Sequence, residues 1–280
     1  MELGVIAAML LAALLHASWH ALIKNQPDRL VGLAGMNLIS TAVALCVVPF
    51  VSFPQVAAWP MLFAALPFHI AYKFGLAKIY GQGELGQVFP IARGATPILA
   101  TLLAFALVRE LPSQTETIAI VLISAGIFVI AREKTTAPLT RQTLLTGLFT
   151  GAMVAAYSVL NGAGARINAD WLGYSVWLIV LDGCLFIGLV WIRRGNVLLR
   201  TLKQNPSTTL ISGLLGTTAF TVFIWGLSQS TIGSVAALRE TSILFATLIG
   251  FVFLKEKFSL SRMLAALMVT MGVVLFGFAT

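Results

Sequence analysis

His16 and His20 stand four residues apart inside an apolar run, and His69 and Lys73 repeat that spacing inside another. Four residues are close to one helical turn, so each pair projects from one helix face. An imidazole takes up a proton near neutral pH or hydrogen-bonds an oxyanion. Arg93, Arg239, Glu240 and the lone acid Asp182 also lie within apolar runs. An ionisable side chain costs at least roughly 2.5–3.5 kcal/mol at a bilayer centre, which makes each a functional candidate by default. Most of these groups are basic, and a guanidinium fork suits carboxylate, phosphate or phosphonate. The set points to a site for an anionic or zwitterionic solute. Lys73, Arg93 and Arg239 would hold its acid group, and His16, His20 or His69 would exchange a proton. The competing reading is structural, with cations snorkelling or pairing and histidines bonding between helices.

Glu240 leaves its helix about 100° from Arg239, so the expectation is that it pairs with a cation on a neighbouring helix instead. Trp19, Tyr72, Tyr157, Asn161 and Trp225 add amphipathic surface to the candidate binding set. Three histidines reach the count for zinc, but no acidic or cysteine ligand lies near them and His-Glu-x-x-His is absent, so no metal is expected.

The elements that must position these groups follow from composition. The chain has 280 residues, 59% hydrophobic and 10% charged, with a mean hydropathy of +0.95. That balance belongs to a multi-spanning membrane protein. Apolar runs of about 20 residues cross a bilayer core as helices. Ten are expected, at about 3–23, 31–51, 57–80, 84–108, 116–132, 142–165, 173–192, 207–229, 233–254 and 260–279. Lipid satisfies neither an open strand edge nor a bare loop, so the fold class is all-α. Cys46 and Cys184 lie inside spans and read as small apolar residues. Met1-Glu2-Leu3 lacks the basic start of a cleavable signal, so the first helix is expected to stay.

The net charge of +8 is a topological signal. Alternate loops carry Lys24, Arg29, Lys78, Arg132, Lys134, Arg141, Arg193, Arg194, Arg200, Lys203, Lys255, Lys257 and Arg262, whereas the opposite face carries Arg109 and Arg166. Positive loops stay in the cytoplasm, which places both termini outside it and gives no reason to expect a nucleic-acid partner. The segment Arg93–Gly126 aligns without a gap on Arg239–Gly272, matching Arg93 to Arg239, Ala100 to Ala246, Phe105 to Phe251, Glu110 to Glu256, Ser113 to Ser259, Ala119 to Ala265 and Gly126 to Gly272. Glu133–Thr140, broken by Pro138, divides the chain into repeats at 1–134 and 141–280. Five spans in each half invert the second half relative to the first, and such halves carry a site between them near the midplane. By the same inversion, the guanidinium groups of Arg93 and Arg239 are expected in opposite leaflets.

Two patterns mislead. Gly81-Gln82-Gly83-Glu84-Leu85-Gly86 satisfies a dinucleotide fingerprint, but no strand precedes it and it joins two spans. Gly147-x-x-x-Gly151 reads as close helix packing.

The paired pattern Pro97-…-Arg109-Glu110-…-Gly126-Ile127 and Lys255-Glu256-…-Gly272-Val273, with the opening LLHASWHALIK (Leu14–Lys24), resembles the EamA family of the drug/metabolite transporter superfamily over the whole chain. The resemblance implies ten helices in two inverted five-helix repeats. It also implies a central cavity lined by spans 1, 3, 4, 6, 8 and 9, with spans 5 and 10 packed away and span 7, with Asp182, peripheral. Ile243 replaces the counterpart of Pro97, which implies a less kinked second half. Triose-phosphate translocators, relatives in the same superfamily, use basic cavity residues, in keeping with an anion site.

The expected activity is secondary transport of a small polar metabolite (phosphonate, phosphorylated metabolite or amino acid) across a bacterial inner membrane by alternating access, with protons as a candidate coupling ion. No ATP-binding motif is present, no cofactor is expected, and an enzyme is not. A multidrug exporter of lipophilic cations is the nearest alternative, and it would rely on Glu240 or Asp182. A lipid-phosphate flippase or an intramembrane enzyme using the histidines is the alternative from another class.

Overall fold

The computed structural model of the chain describes residues 1–81, 90, 93–131, 140–254 and 259–279, with only the backbone of 249–254. Most of the expected boundary at 133–140, most of the glycine motif at 81–86 and the turn Lys255-Glu256 lie outside the described residues. The helices are α1 (Leu3–Lys24), α2 (Arg29–Val47), α3 (Trp59–Ile79), α4 (Thr96–Val108), α5 (Gln114–Ala131), α6 (Arg141–Asn168), α7 (Trp171–Arg194), α8 (Asn196–Gln204), α9 (Pro206–Gln229), α10 (Ile232–Glu240), α11 (Ser242–Leu254) and α12 (Leu260–Phe278).

Among the described residues, eight helical stretches have the length and apolarity of a membrane span: Leu3–Lys24, Arg29–Phe50, Val56–Ile79, Gln114–Ala131, Arg141–Asn168, Trp171–Arg194, Pro206–Gln229 and Leu260–Phe278. Two of the ten expected spans take another form. In 84–108 the described helix is the short α4, preceded by a turn at Ala95. The run 233–254 is broken at Thr241 into α10 and α11. Apolar periodicity does not register such breaks, because neither Ala95 nor Thr241 is a helix breaker by type. The second half is therefore interrupted without a proline. The amphipathic helix α8 is a further element that hydropathy did not predict.

Polar residues set the helix starts. Asp28 caps α2 by accepting from Leu30 and Val31 N–H at 3.1 and 3.2 Å. Ser113 and Glu116 form a reciprocal capping box on α5. Thr140, Asp170 and Ser259 cap α6, α7 and α12 in the same way. Burial works against the Asp170 charge. Hydrogen bonds from Gly173, from the Ser52 hydroxyl and amide, and from Leu172 outweigh it and hold the carboxyl below the ordinary aspartate range.

The main helix pairs are α5 with α12, α3 with α6, α1 with α9 and α2 with α7. Small residues permit the closest of these contacts. A Cβ on Gly126 would meet Val269 Cγ2 at 2.9 Å and the Ala265 carbonyl at 3.0 Å; one on Gly272 would meet Ile123 Cγ1 at 2.6 Å and the Ala119 carbonyl at 2.9 Å.

The ends of the bundle are tied by polar links between the first and second halves of the chain. At one end Glu110 accepts from Arg166 and from Ile232 N–H, while Arg166 also donates to the Leu227 and Ser230 carbonyls. Nearby, Ser52 donates to Asp170 and Gln55 N–H to Asn168. At the opposite end Arg194 donates to Asp28 at 2.8 Å. Between these ends lies a cavity.

Candidate functional site

Seven helices wall a cavity with about 90 Å³ of open volume: His16 and Trp19 of α1; Leu33, Met36, Asn37 and Ser40 of α2; His69, Tyr72 and Lys73 of α3; Tyr157 of α6; Ile179 and Asp182 of α7; Gly216, Ala219, Phe220 and Phe223 of α9; and Arg239 of α10. Among the described residues, α5 and α12 contribute nothing to this wall. Spans 2 and 7 do contribute, against the expectation that span 7 is peripheral.

Arg239 closes the last turn of α10, and Glu240 is the residue at which that helix stops. Both are buried. Glu240 Oε1 accepts from Arg239 Nε and Nη2 at 3.4 and 3.2 Å and from Arg93 Nη1 at 3.1 Å. Two expectations are corrected here. Glu240 does pair with Arg239: the 100° separation governs where the side chains leave the helix, and the long arginine chain curls back across it. The two guanidinium groups also meet at one carboxylate instead of lying in separate leaflets. Each arginine sits two residues before a helix interruption, Arg93 before Ala95 and Arg239 before Thr241. At Thr241 the backbone N–H and the hydroxyl both turn back to the Leu238 carbonyl.

Behind the cavity wall, Arg93 extends a polar cluster. Its Nη2 donates to Tyr72 OH at 3.2 Å and lies 2.5 Å from His16 Nε2 and 3.2 Å from His20 Nε2. The two imidazoles meet through their Nε2 atoms at 2.9 Å, as the four-residue spacing requires. Trp19 Nε1 donates to His16 Nδ1 at 3.2 Å, and its indole stacks on His20 with ring centroids 3.6 Å apart. His20 Nδ1 bonds Tyr80 OH.

Arg239 faces the cavity differently. Nη1 donates to Tyr157 OH at 3.3 Å, and the guanidinium carbon lies 4.0 Å from the Phe223 ring centre. His69 stacks on Tyr157 at 4.1 Å and accepts from Asn161 Nδ2 at 2.9 Å. A guanidinium carries five N–H donors. The bonds of Arg239 engage one on each nitrogen, which leaves one N–H on Nη1 and one on Nη2 unspent among the described residues.

Lys73 is paired. Its Nζ donates to Asp182 Oδ2 at 2.5 Å and to Asn37 Oδ1 at 2.7 Å, and lies 4.6 Å from the Phe186 ring centre. Asp182, set aside on its span's implied position, is therefore a cavity residue. The signal that could have found it, a lone acid in the middle of an apolar helix, was in the sequence. Asn37, a lone amide in α2, carried a weaker form of the same signal. The aromatic wall of Phe220 and Phe223 had none, because phenylalanine in a span is ordinary.

Of the sequence-predicted binding set, His16, Trp19, His69, Tyr72, Lys73, Tyr157 and Arg239 line the cavity. His20, Arg93, Asn161 and Glu240 stand behind the wall and hydrogen-bond lining residues. Trp225 is half-buried, packs against the hydrophobic core and is not on the wall. Among the described residues no group of three His, Cys, Asp or Glu side chains is placed to hold a metal ion.

The EamA-like transporter family matches residues 141–278. A Bacillus subtilis (strain 168) protein described as the uncharacterized transporter YwfM is 26% identical over 219 residues, covering 77% of this chain and 72% of that one. A solved structure described only as "Crystal structure of protein" superposes with a TM-score of 0.76 at 14% identity, covering 99% of this chain and 98% of the other, a likeness of fold alone. With its apolar helices, a second half that matches the EamA-like transporter family and a related transporter, the chain is a multi-pass membrane transporter similar to the EamA-like family.

Proposed function

We propose that the protein is a secondary active transporter of a small anionic or zwitterionic metabolite, working by alternating access between two inverted repeats at 1–134 and 141–280. The observation that carries the solute class is the pair of unspent N–H groups on Arg239, a buried guanidinium on the cavity wall. A buried donor without an acceptor is costly, and a carboxylate, phosphate or phosphonate accepts two parallel N–H groups. The cavity's modest volume favours a small solute. At about 10–15 Å³ of such volume for each water, it holds roughly six to nine water-sized groups.

The repeat reading has two supports. Gly126 packs on Val269 and Ala265 while Gly272 packs on Ile123 and Ala119, so each contact is the exchange of the other. That reciprocity is what a two-fold axis produces. The contacts run in opposite directions along the chain, making α5 and α12 antiparallel, and an axis relating antiparallel spans lies in the membrane plane. The interruptions at Ala95 and Thr241 fall at matching positions of the repeats, where transporters of this kind place their sites. Ten spans, an inner-membrane location and termini outside the cytoplasm follow from this reading and from the charge of the loops.

Proton coupling through His16, His20 or His69 belongs to the same proposal. Transport that persists unchanged after the pH gradient is collapsed would remove it.

The test is thermal stabilisation of the purified protein by sugar phosphates, phosphonates, amino acids and lipophilic cations. The expected result is stabilisation by acids that is lost in Arg239→Gln. Stabilisation by cations alone would replace this reading with drug efflux.

A further inference from the structure

The cavity has a second unsatisfied group, of opposite polarity to Arg239. Asp182 lines the wall and is nine-tenths buried. Lys73 occupies its Oδ2, while Oδ1 is buried without a hydrogen-bond partner among the described residues. A carboxylate has lone pairs for several donors, and neither lining neighbour fills this one: Asn37 gives its own carbonyl oxygen to Lys73, and its amide nitrogen bonds the Leu33 carbonyl. Asp182 therefore lacks a donor where Arg239 lacks an acceptor. The same wall carries the aromatic rings of Phe220, Tyr157 and His69.

We infer that Asp182 receives the ammonium group of a small zwitterion whose acid group is held by Arg239. This selects acids that carry a protonated amine over the same acids without it. A charge-assisted bond to a carboxylate oxygen is strong where water is excluded. Lys73 fixes that carboxylate in place, so the amine meets an acceptor already set for it. A purely anionic solute would satisfy Arg239 and leave Asp182 Oδ1 empty. The inference rests on the proposed acid site and narrows it.

The discriminating experiment measures binding of matched probes to the full-length protein in detergent. Alanine is compared with propionate and lactate, and 2-aminoethylphosphonate with ethylphosphonate. The inference expects the amine-bearing member of each pair to bind at least tenfold more tightly. It also expects Asp182→Asn to shrink that preference below about threefold, the ratio within each pair being read because the Lys73 ammonium released from Asp182 acts on both members alike. Equal affinity within each pair in the unmodified protein overturns the inference without recourse to any variant, and so does an amine preference that survives Asp182→Asn. Tighter binding of lactate than of alanine overturns it too, making the donor a hydroxyl. No binding by any of these acids is a different failure, which removes the acid site itself.

Discussion

The pair Lys73–Asp182 gives the sharpest energetic test of the structure. The ammonium and carboxylate side chains are 8% and 12% exposed, and they join α3 to α7 across the two halves of the chain. Removing one member of a buried pair costs about 3–5 kcal/mol, because the remaining charge keeps its desolvation penalty and loses its partner. Lys73→Met should reach the upper part of that range. Among the described residues it strips the one donor to Asp182, whose Oδ1 has none, and it also frees Asn37 Oδ1. At roughly 2 °C per kcal/mol for a chain of this length, the apparent melting temperature should fall by about 8–10 °C. Adding Asp182→Asn removes the orphaned charge, so the double variant should recover more than half of the loss. Both are read in detergent by intrinsic fluorescence during a thermal ramp at one fixed rate, since membrane proteins of this size unfold irreversibly. A single variant within about 0.5 kcal/mol of the unmodified protein, or a double variant whose loss is the sum of its parts, would refute the reasoning. Either result would mean that water already reaches and screens the pair.

Three further outcomes are expected. Gly126→Ala and Gly272→Ala should each lower the melting temperature, and the pair together should cost less than the sum, because both open the same α5–α12 contact; additive losses would separate the two sites. Asp170 has a lowered carboxyl pKa in the folded protein, so its contribution to stability is present above the unfolded value near 4 and is lost as pH falls through the folded value. Asp170→Asn should therefore melt below the unmodified protein at pH 7, with the gap closing in acid, and a gap independent of pH would contradict that assignment. Cysteines introduced at Ser52 or Ala169, both exposed, should react with an impermeant maleimide added outside intact cells, while one at Arg194 should not; the reverse pattern would invert the proposed topology.

The fold was legible where side-chain chemistry alone decides it. Long apolar runs mark helix positions to within a few residues. The interruption at Thr241 was not legible, because it is a tertiary outcome: the break lets Arg239 and Glu240 converge with Arg93. The candidate site divides in the same way. Spacing brought His16 and His20 together, and depth in a span singled out Lys73 and Arg239. The partners were the hidden part, since Asp182 lies 109 residues from Lys73 and Glu240 lies 147 from Arg93. Nothing in a single sequence announces such pairings. The basic skew of the residue list thus overstated the free positive charge of the cavity. What survives is narrower, namely two N–H groups on one arginine.

The most direct test of the account is counterflow in proteoliposomes. Vesicles loaded with the acid that best stabilises the purified protein are diluted into its labelled form, and accumulation of label is followed. The account predicts transient accumulation above equilibrium by the unmodified protein and none by Arg239→Gln reconstituted at equal density. Equal accumulation by both would contradict the claim that Arg239 holds the transported solute.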